Sequence, residues 1–126
     1  MDARTRLTCL RIALIVTATA AFGLYPLMRV WPSGWAWHSG DSPYPMMLVG
    51  IYATLGMFLL NAARDPPRHR SLILFTVWSS VVHGAIMTVQ SIAAPEHRGH
   101  LLGDVPALFL IAIVLGALMP RASRDA

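Results

Sequence analysis

The chain has no lysine, and charge of either sign is scarce. Of its 126 residues only 13% are charged, about half the roughly 25% of an average soluble domain. A single cysteine, Cys9, excludes an intrachain disulfide and a thiolate cage for a metal. It lies near the inner end of the first apolar run and reads as an inert, buried thiol. The G-x-S-x-G elbow, the P-loop and the dinucleotide-binding glycine pattern are all missing. There is no internal repeat, low-complexity tract or linker long enough to divide domains. Residues 1–126 therefore read as one integral membrane domain.

Apolar residues make up 56% of the chain. A soluble domain of this size buries only about 60–70% of the surface its unfolded chain exposes, so the surplus calls for an apolar solvent. Four apolar runs meet the requirement of about 20 residues per crossing: roughly residues 8–30, 44–63, 71–94 and 100–119. They are punctuated by Pro32-Ser-Gly, Asp65-Pro-Pro, Pro95 and Pro120. Short connections favour antiparallel neighbours. The expected fold is all-α, a four-helix transmembrane bundle of up-down antiparallel topology. Its close-packed faces are expected at Ala13, Thr17 and Ala20/Ala21 on the first helix, and at Gly50, Ala53/Thr54 and Gly56/Met57 on the second.

The arginines set the expected orientation. Arg4, Arg6, Arg11, Arg64, Arg68, Arg70, Arg121 and Arg124 fall on one side of the four runs, and only Arg29 and Arg98 on the other. The positive-inside rule then puts both termini in the cytoplasm, with the chain in the inner (plasma) membrane. Ala18-Thr-Ala20 resembles a signal-peptide cleavage site, but apolar character continues to Met28, so the first helix is expected to be retained. Although net charge is +4, the arginines form no continuous basic face, which argues against nucleic acid.

The loop between the first two runs carries Trp31, Trp35, Trp37 and Tyr44. Such aromatics suit the headgroup layer; a lid over a ligand is the sharper alternative. His38, in the same loop, carries no distinct signal.

Polar residues inside a bilayer are costly and turn toward the protein interior or a wet cavity. Thr76, Ser79/Ser80, His83, Met87 and Gln90 recur at three-to-four-residue intervals, the spacing of one helical face. His100 and Asp104 are four apart and share a face of the next helix. Antiparallel packing of these helices is expected to bring Gln90, His100 and Asp104 together at the outer mouth, with His83 as the floor. His83, Met87, Gln90, His100 and Asp104 are thus the candidate ligand-binding residues. Three readings compete. In the first the groups are polar glue, with Asp104 paired to Arg29 or His100 and His83 bonded to a serine or a backbone carbonyl. The second is a pocket for a small molecule, a lipid head group or a quinone-like ligand. The third is a metal or haem site: His97, His100 and Asp104 have imidazole and carboxylate groups that suit zinc, copper or iron, whereas haem wants axial ligands at matching depths and only His83 is deep. The residues name no cofactor.

The segments Tyr44-Pro-Met-Met, Leu60-Asn-Ala-Ala-Arg-Asp-Pro66, His69-Arg-Ser-Leu-Ile, Trp78-Ser-Ser-x-x-His83-Gly and His100-Leu-Leu-Gly-Asp104 carry a resemblance. Over about residues 44–118 the chain resembles small uncharacterised bacterial four-helix membrane proteins. More distantly it is similar to the DoxX-like group, whose members are associated with membrane redox complexes. The resemblance implies four helices and an accessory role, and transfers no catalytic residue.

The expected function is therefore non-catalytic: a ligand-binding or accessory subunit with an outward-facing polar pocket. Its expected partners are the lipid bilayer, a small-molecule or lipid ligand, and a larger membrane complex or homo-oligomer. The alternative is a membrane redox or metal-dependent enzyme using His83, His97, His100 and Asp104.

Overall fold

Helix α1, Ala3–Phe22, opens on Asp2, whose carboxylate accepts the Thr5 backbone N–H at 3.0 Å. This is the N-cap role for which short polar side chains are favoured. The computed structural model describes residues 1–38 and 42–120. Arg121 and Arg124, which enter the arginine distribution, lie outside the described residues.

The described residues are helical, without a strand. After α1 come α2 (Leu24–Val30), α3 (Pro32–Trp35), α4 (Pro43–Arg64), α5 (Arg70–Ala93) and α6 (Asp104–Leu118). A 3-10 turn, Pro66–His69, precedes α5, and a longer 3-10 segment, Pro95–Leu102, precedes α6. Four segments are long and apolar enough to cross a membrane: Ala3–Phe22, Pro43–Arg64, Pro66–Ala93 and Pro95–Leu118. Large apolar side chains point outward along them, among them Val16, Ile51, Phe75, Val82, Val89 and Ile113. These features are those of a membrane protein.

Two boundaries differ from the sequence expectation. The first long helix starts at Ala3 and so includes Arg4 and Arg6; it ends at Phe22 rather than Val30. Gly23 takes its N–H back to the Thr19 carbonyl, and Leu24–Val30 forms a separate short helix. The last helix starts at Asp104, because the proline- and glycine-containing segment before it takes the tighter 3-10 form.

The long helices associate as two pairs, α1 with α4 and α5 with α6, joined mainly where α1 meets α6. Gly56 marks the closest approach in the first pair: a Cβ there would meet the Phe22 ring at 3.1 Å and the Ala18 carbonyl oxygen at 3.2 Å. Small residues permit such approach where lipid supplies no hydrophobic drive. Gly50, by contrast, faces open space, and Thr54 and Met57 are exposed, so of the packing face expected on α4 only Gly56 is buried. Gly84 holds the second pair, against the Phe109 ring.

At the arginine-rich end the pairs close on a shared core of Leu10, Leu14, Leu59, Ile73 and Leu115, each no more than 1% exposed. Arg6 ties that end together. Its guanidinium donates to the carbonyls of Ala117, Leu118 and Met119 at 2.7–3.1 Å. These carbonyls lie at the end of α6, where intrahelical donors have run out. Arg70 donates to the Pro120 carbonyl beside them. Toward the tryptophan-rich end the core thins to Met87, Val105 and Leu108, packed by Trp37 and Phe109. There the two pairs separate.

Candidate functional site

The separation encloses a cavity of about 190 Å³. Its walls are Thr17, Ala20 and Ala21 from α1, Leu48, Tyr52 and Leu55 from α4, and Thr76, Ser80, His83 and Met87 from α5. Asp104, Ala107, Leu108 and Ile111 complete it from α6, and Leu24, Met28, Trp35, Trp37 and His38 cover the tryptophan-rich end. Tyr44 and His38, both exposed, line its edge with their rings tilted at 6.4 Å.

Asp104 is the anchor of the covering end and is 7% exposed. It stands at the start of α6, where the helix dipole favours a carboxylate. Trp37 Nε1 donates to one carboxylate oxygen at 2.9 Å, and His100 Nδ1 lies 3.0 Å from both. An ionised carboxylate only accepts, so with Asp104 ionised the bridging proton sits on His100 Nδ1. The Trp37 ring also stacks on His100, with centroids 4.0 Å apart, and leans on His97 at 4.8 Å. One tryptophan thus fixes both a carboxylate and two imidazoles.

The covering helices are held to the 3-10 segment by glycine. Added Cβ atoms at Gly99 and Gly103 would collide with the backbone of Ser33 and Gly34 respectively. That close contact seats α3, and with it Trp35 and Trp37, over the cavity. Trp31 remains outside, 42% exposed. Of the loop's aromatics, Trp35 and Trp37 turn inward, Trp31 is exposed, and Tyr44, though exposed, borders the cavity.

Deeper in the cavity the Tyr52 hydroxyl lies 2.7 Å from His83 Nδ1. This bond spans α4 and α5, which otherwise touch little. His83 is therefore bonded to tyrosine rather than to a serine or a backbone carbonyl.

Of the five candidate ligand-binding residues, His83, Met87 and Asp104 line the cavity, and His100 is buried behind Asp104. Gln90 is not brought to them: it is exposed, and Ser91 takes the buried position instead. Seven residues fall about 20° short of two full turns. His83 already sits at one edge of the buried face, so that shortfall rotates Gln90 outward. Arg29 is also exposed, and Trp37 takes the place expected for it at Asp104.

His97, His100 and Asp104 do not assemble as a metal centre. Among the described residues, no three His, Cys, Asp or Glu side chains are grouped to hold one ion. The His97 and His100 rings are 5.9 Å apart and tilted at 54°, with Trp37 packed on both.

Trp35, Trp37 and Tyr52 were not among the expected site residues. Tyr52 had a signal, since positions 52, 55, 59 and 62 recur at helical spacing and the last two are fully buried. The tryptophans lie in short turns, where periodicity says nothing about direction.

A model of a family of unknown function matches residues 4–125 of the chain. No curated protein and no solved structure matches it.

Proposed function

Because the chain belongs to DUF6632, a family of unknown function, its activity has to be read from its own residues, and we propose that it is a multi-pass membrane protein that binds a small lipid-soluble ligand. The carrying observation is the cavity of about 190 Å³, walled largely by aliphatic, aromatic and thioether side chains, with Thr17, Tyr52, Thr76, Ser80, His83 and Asp104 among its polar points. Apolar walls with a small number of placed polar groups characterise small-molecule sites. An engineered apolar cavity of roughly 150 Å³ takes benzene, so this space suits a single substituted ring or a short hydrocarbon segment.

The fold reading belongs to this proposal: an up-down four-helix bundle in the plasma membrane, with both termini cytoplasmic. Eight arginines against two support that orientation, which turns the cavity's covered end outward. Service as an accessory subunit of a larger membrane complex is compatible with the same cavity. The redox or metal-dependent alternative has less support, since His97 and His100 are engaged by Trp37 and Asp104 rather than directed at a common point. The distant DoxX-like resemblance carries no part of the reading.

The test is thermal unfolding of purified protein in nanodiscs, with and without durene, a compact one-ring hydrocarbon. Durene is expected to raise Tm for the natural chain and not for Ala107→Phe, which puts a ring into the cavity wall. Equal responses from the two proteins would refute the pocket.

A further inference from the structure

The hydrogen-bonding groups around the cavity largely satisfy one another. Asp104 accepts from Trp37 and His100, and Tyr52 is bonded to His83. The Thr17 and Thr76 hydroxyls donate to carbonyls four residues back, at 2.8 and 2.9 Å. Trp35 differs. Its ring lines the cavity, and its indole Nε1–H is buried without an acceptor among the described residues. An indole nitrogen can only donate, and a buried donor left unpaired is costly. Among the described residues, this end of the cavity offers that N–H no acceptor.

The other walls restrict which molecule can bring it. Among the described residues no arginine lines the cavity, so an anionic group would enter without an arginine counter-charge. The carboxylate that would attract a cation is already held by two N–H donors. A ligand hydroxyl could also accept from Trp35, but its own proton would then need an acceptor such as the Ser80, Thr17 or Thr76 hydroxyl oxygen. A carbonyl oxygen accepts without donating. Trp37, Tyr44 and Tyr52, with the thioethers of Met28 and Met87, offer the surfaces on which a flat ring packs well.

Resting on the ligand pocket proposed above, we propose that Trp35 selects the ligand, its indole N–H donating a hydrogen bond to a carbonyl oxygen of a neutral, single-ring, lipid-soluble molecule. A phospholipid ester offers the same oxygen on a flexible chain. The aromatic walls and the size of the cavity favour the ring.

The test uses full-length protein carrying ¹⁵N-labelled tryptophan in nanodiscs of ether-linked phosphocholine, which has no ester carbonyl. The chain has four tryptophans. The Trp35 indole signal is the one lost in Trp35→Phe, or the one left after Trp31→Phe, Trp37→Phe and Trp78→Phe should that variant not fold. Duroquinone and durene share a ring outline and differ in the carbonyls. Duroquinone is expected to move the Trp35 indole proton downfield, and durene is expected to occupy the cavity without doing so. Trp35→Phe should weaken duroquinone about threefold to tenfold relative to durene, the worth of one neutral hydrogen bond.

A Trp35 signal that duroquinone moves no further than durene does would overturn the assignment while leaving the pocket standing. So would ester lipid alone shifting it as far as duroquinone does, since the oxygen would then be the lipid's. Failure of both compounds to raise Tm, with Ala107→Phe behaving as the natural chain, would instead remove the pocket itself.

Discussion

Asp104 is held by donors from two separate segments, Trp37 in the turn after α3 and His100 in the 3-10 segment before α6. Trp37→Phe keeps most of the ring packing on His100 and removes one N–H. It is expected to cost about 1–2 kcal/mol in reversible unfolding. That lies between a hydrogen bond to a charged group in a soluble protein and the smaller mean inside bilayers. A double-mutant cycle with Asp104→Asn should show coupling, and strict additivity would mean that the bond contributes nothing. Asp2 makes a second residue-level prediction. Hydrogen bonds from the Thr5 side chain, and then from its backbone N–H, hold the Asp2 carboxyl below its ordinary value. A lowered value in the folded state means that the stabilising contribution is present above the unfolded carboxyl's ordinary range. It is lost as pH falls through the folded value. Amide protection at Thr5 and Arg6 should therefore drop below about pH 4 in the natural chain and stay level in Asp2→Asn. His100 and Asp104 were legible as a pair from their four-residue spacing, although the contact forms across the break at Gly103, from the 3-10 segment to the first residue of α6, rather than along one helical face. Trp37 was not, since its partner is 67 residues away and nothing in a turn's composition says where a ring points.

Along each element, closure at one end and opening at the other follow from where small residues and arginines fall. Arg6 supplies donors to three carbonyls at the end of α6. Arg6→Ala should loosen that end, by about 1–3 kcal/mol for the removed charged donors, and lower amide protection across the last turn of α6. Arg6→Lys should restore only part of it, because an ammonium cannot reproduce the planar fork. Gly103→Ala should unseat α3, because the new methyl would occupy the space of the Gly34 backbone. Its signature would be increased solvent exposure of Trp37, read by fluorescence quenching, with the arginine-rich core intact. The sequence shows four long apolar segments because length and hydropathy are local. The break at Gly23 had a local signal in Pro26, which cannot donate to the helical ladder. The 3-10 form of Pro95–Leu102 lies where Gly99 and Gly103 meet the backbone of Ser33 and Gly34, a contact distant in sequence.

For the whole molecule, a shared core at one end and a lined cavity at the other amount to a vessel embedded in lipid. The apolar outer surface of the four long helices suits acyl chains, and the arginine distribution supports the orientation proposed above. A fluorescent protein fused after the last residue should fold and emit, and alkaline phosphatase fused there should stay inactive. The opposite pattern would invert the molecule. Native mass spectrometry of the protein, taken from its own membranes without added ligand, tests the central claim most directly. The account predicts a non-covalent adduct lighter than a phospholipid on the natural chain, absent from Ala107→Phe. Bare chains in both samples, or the same adducts on both, would contradict it.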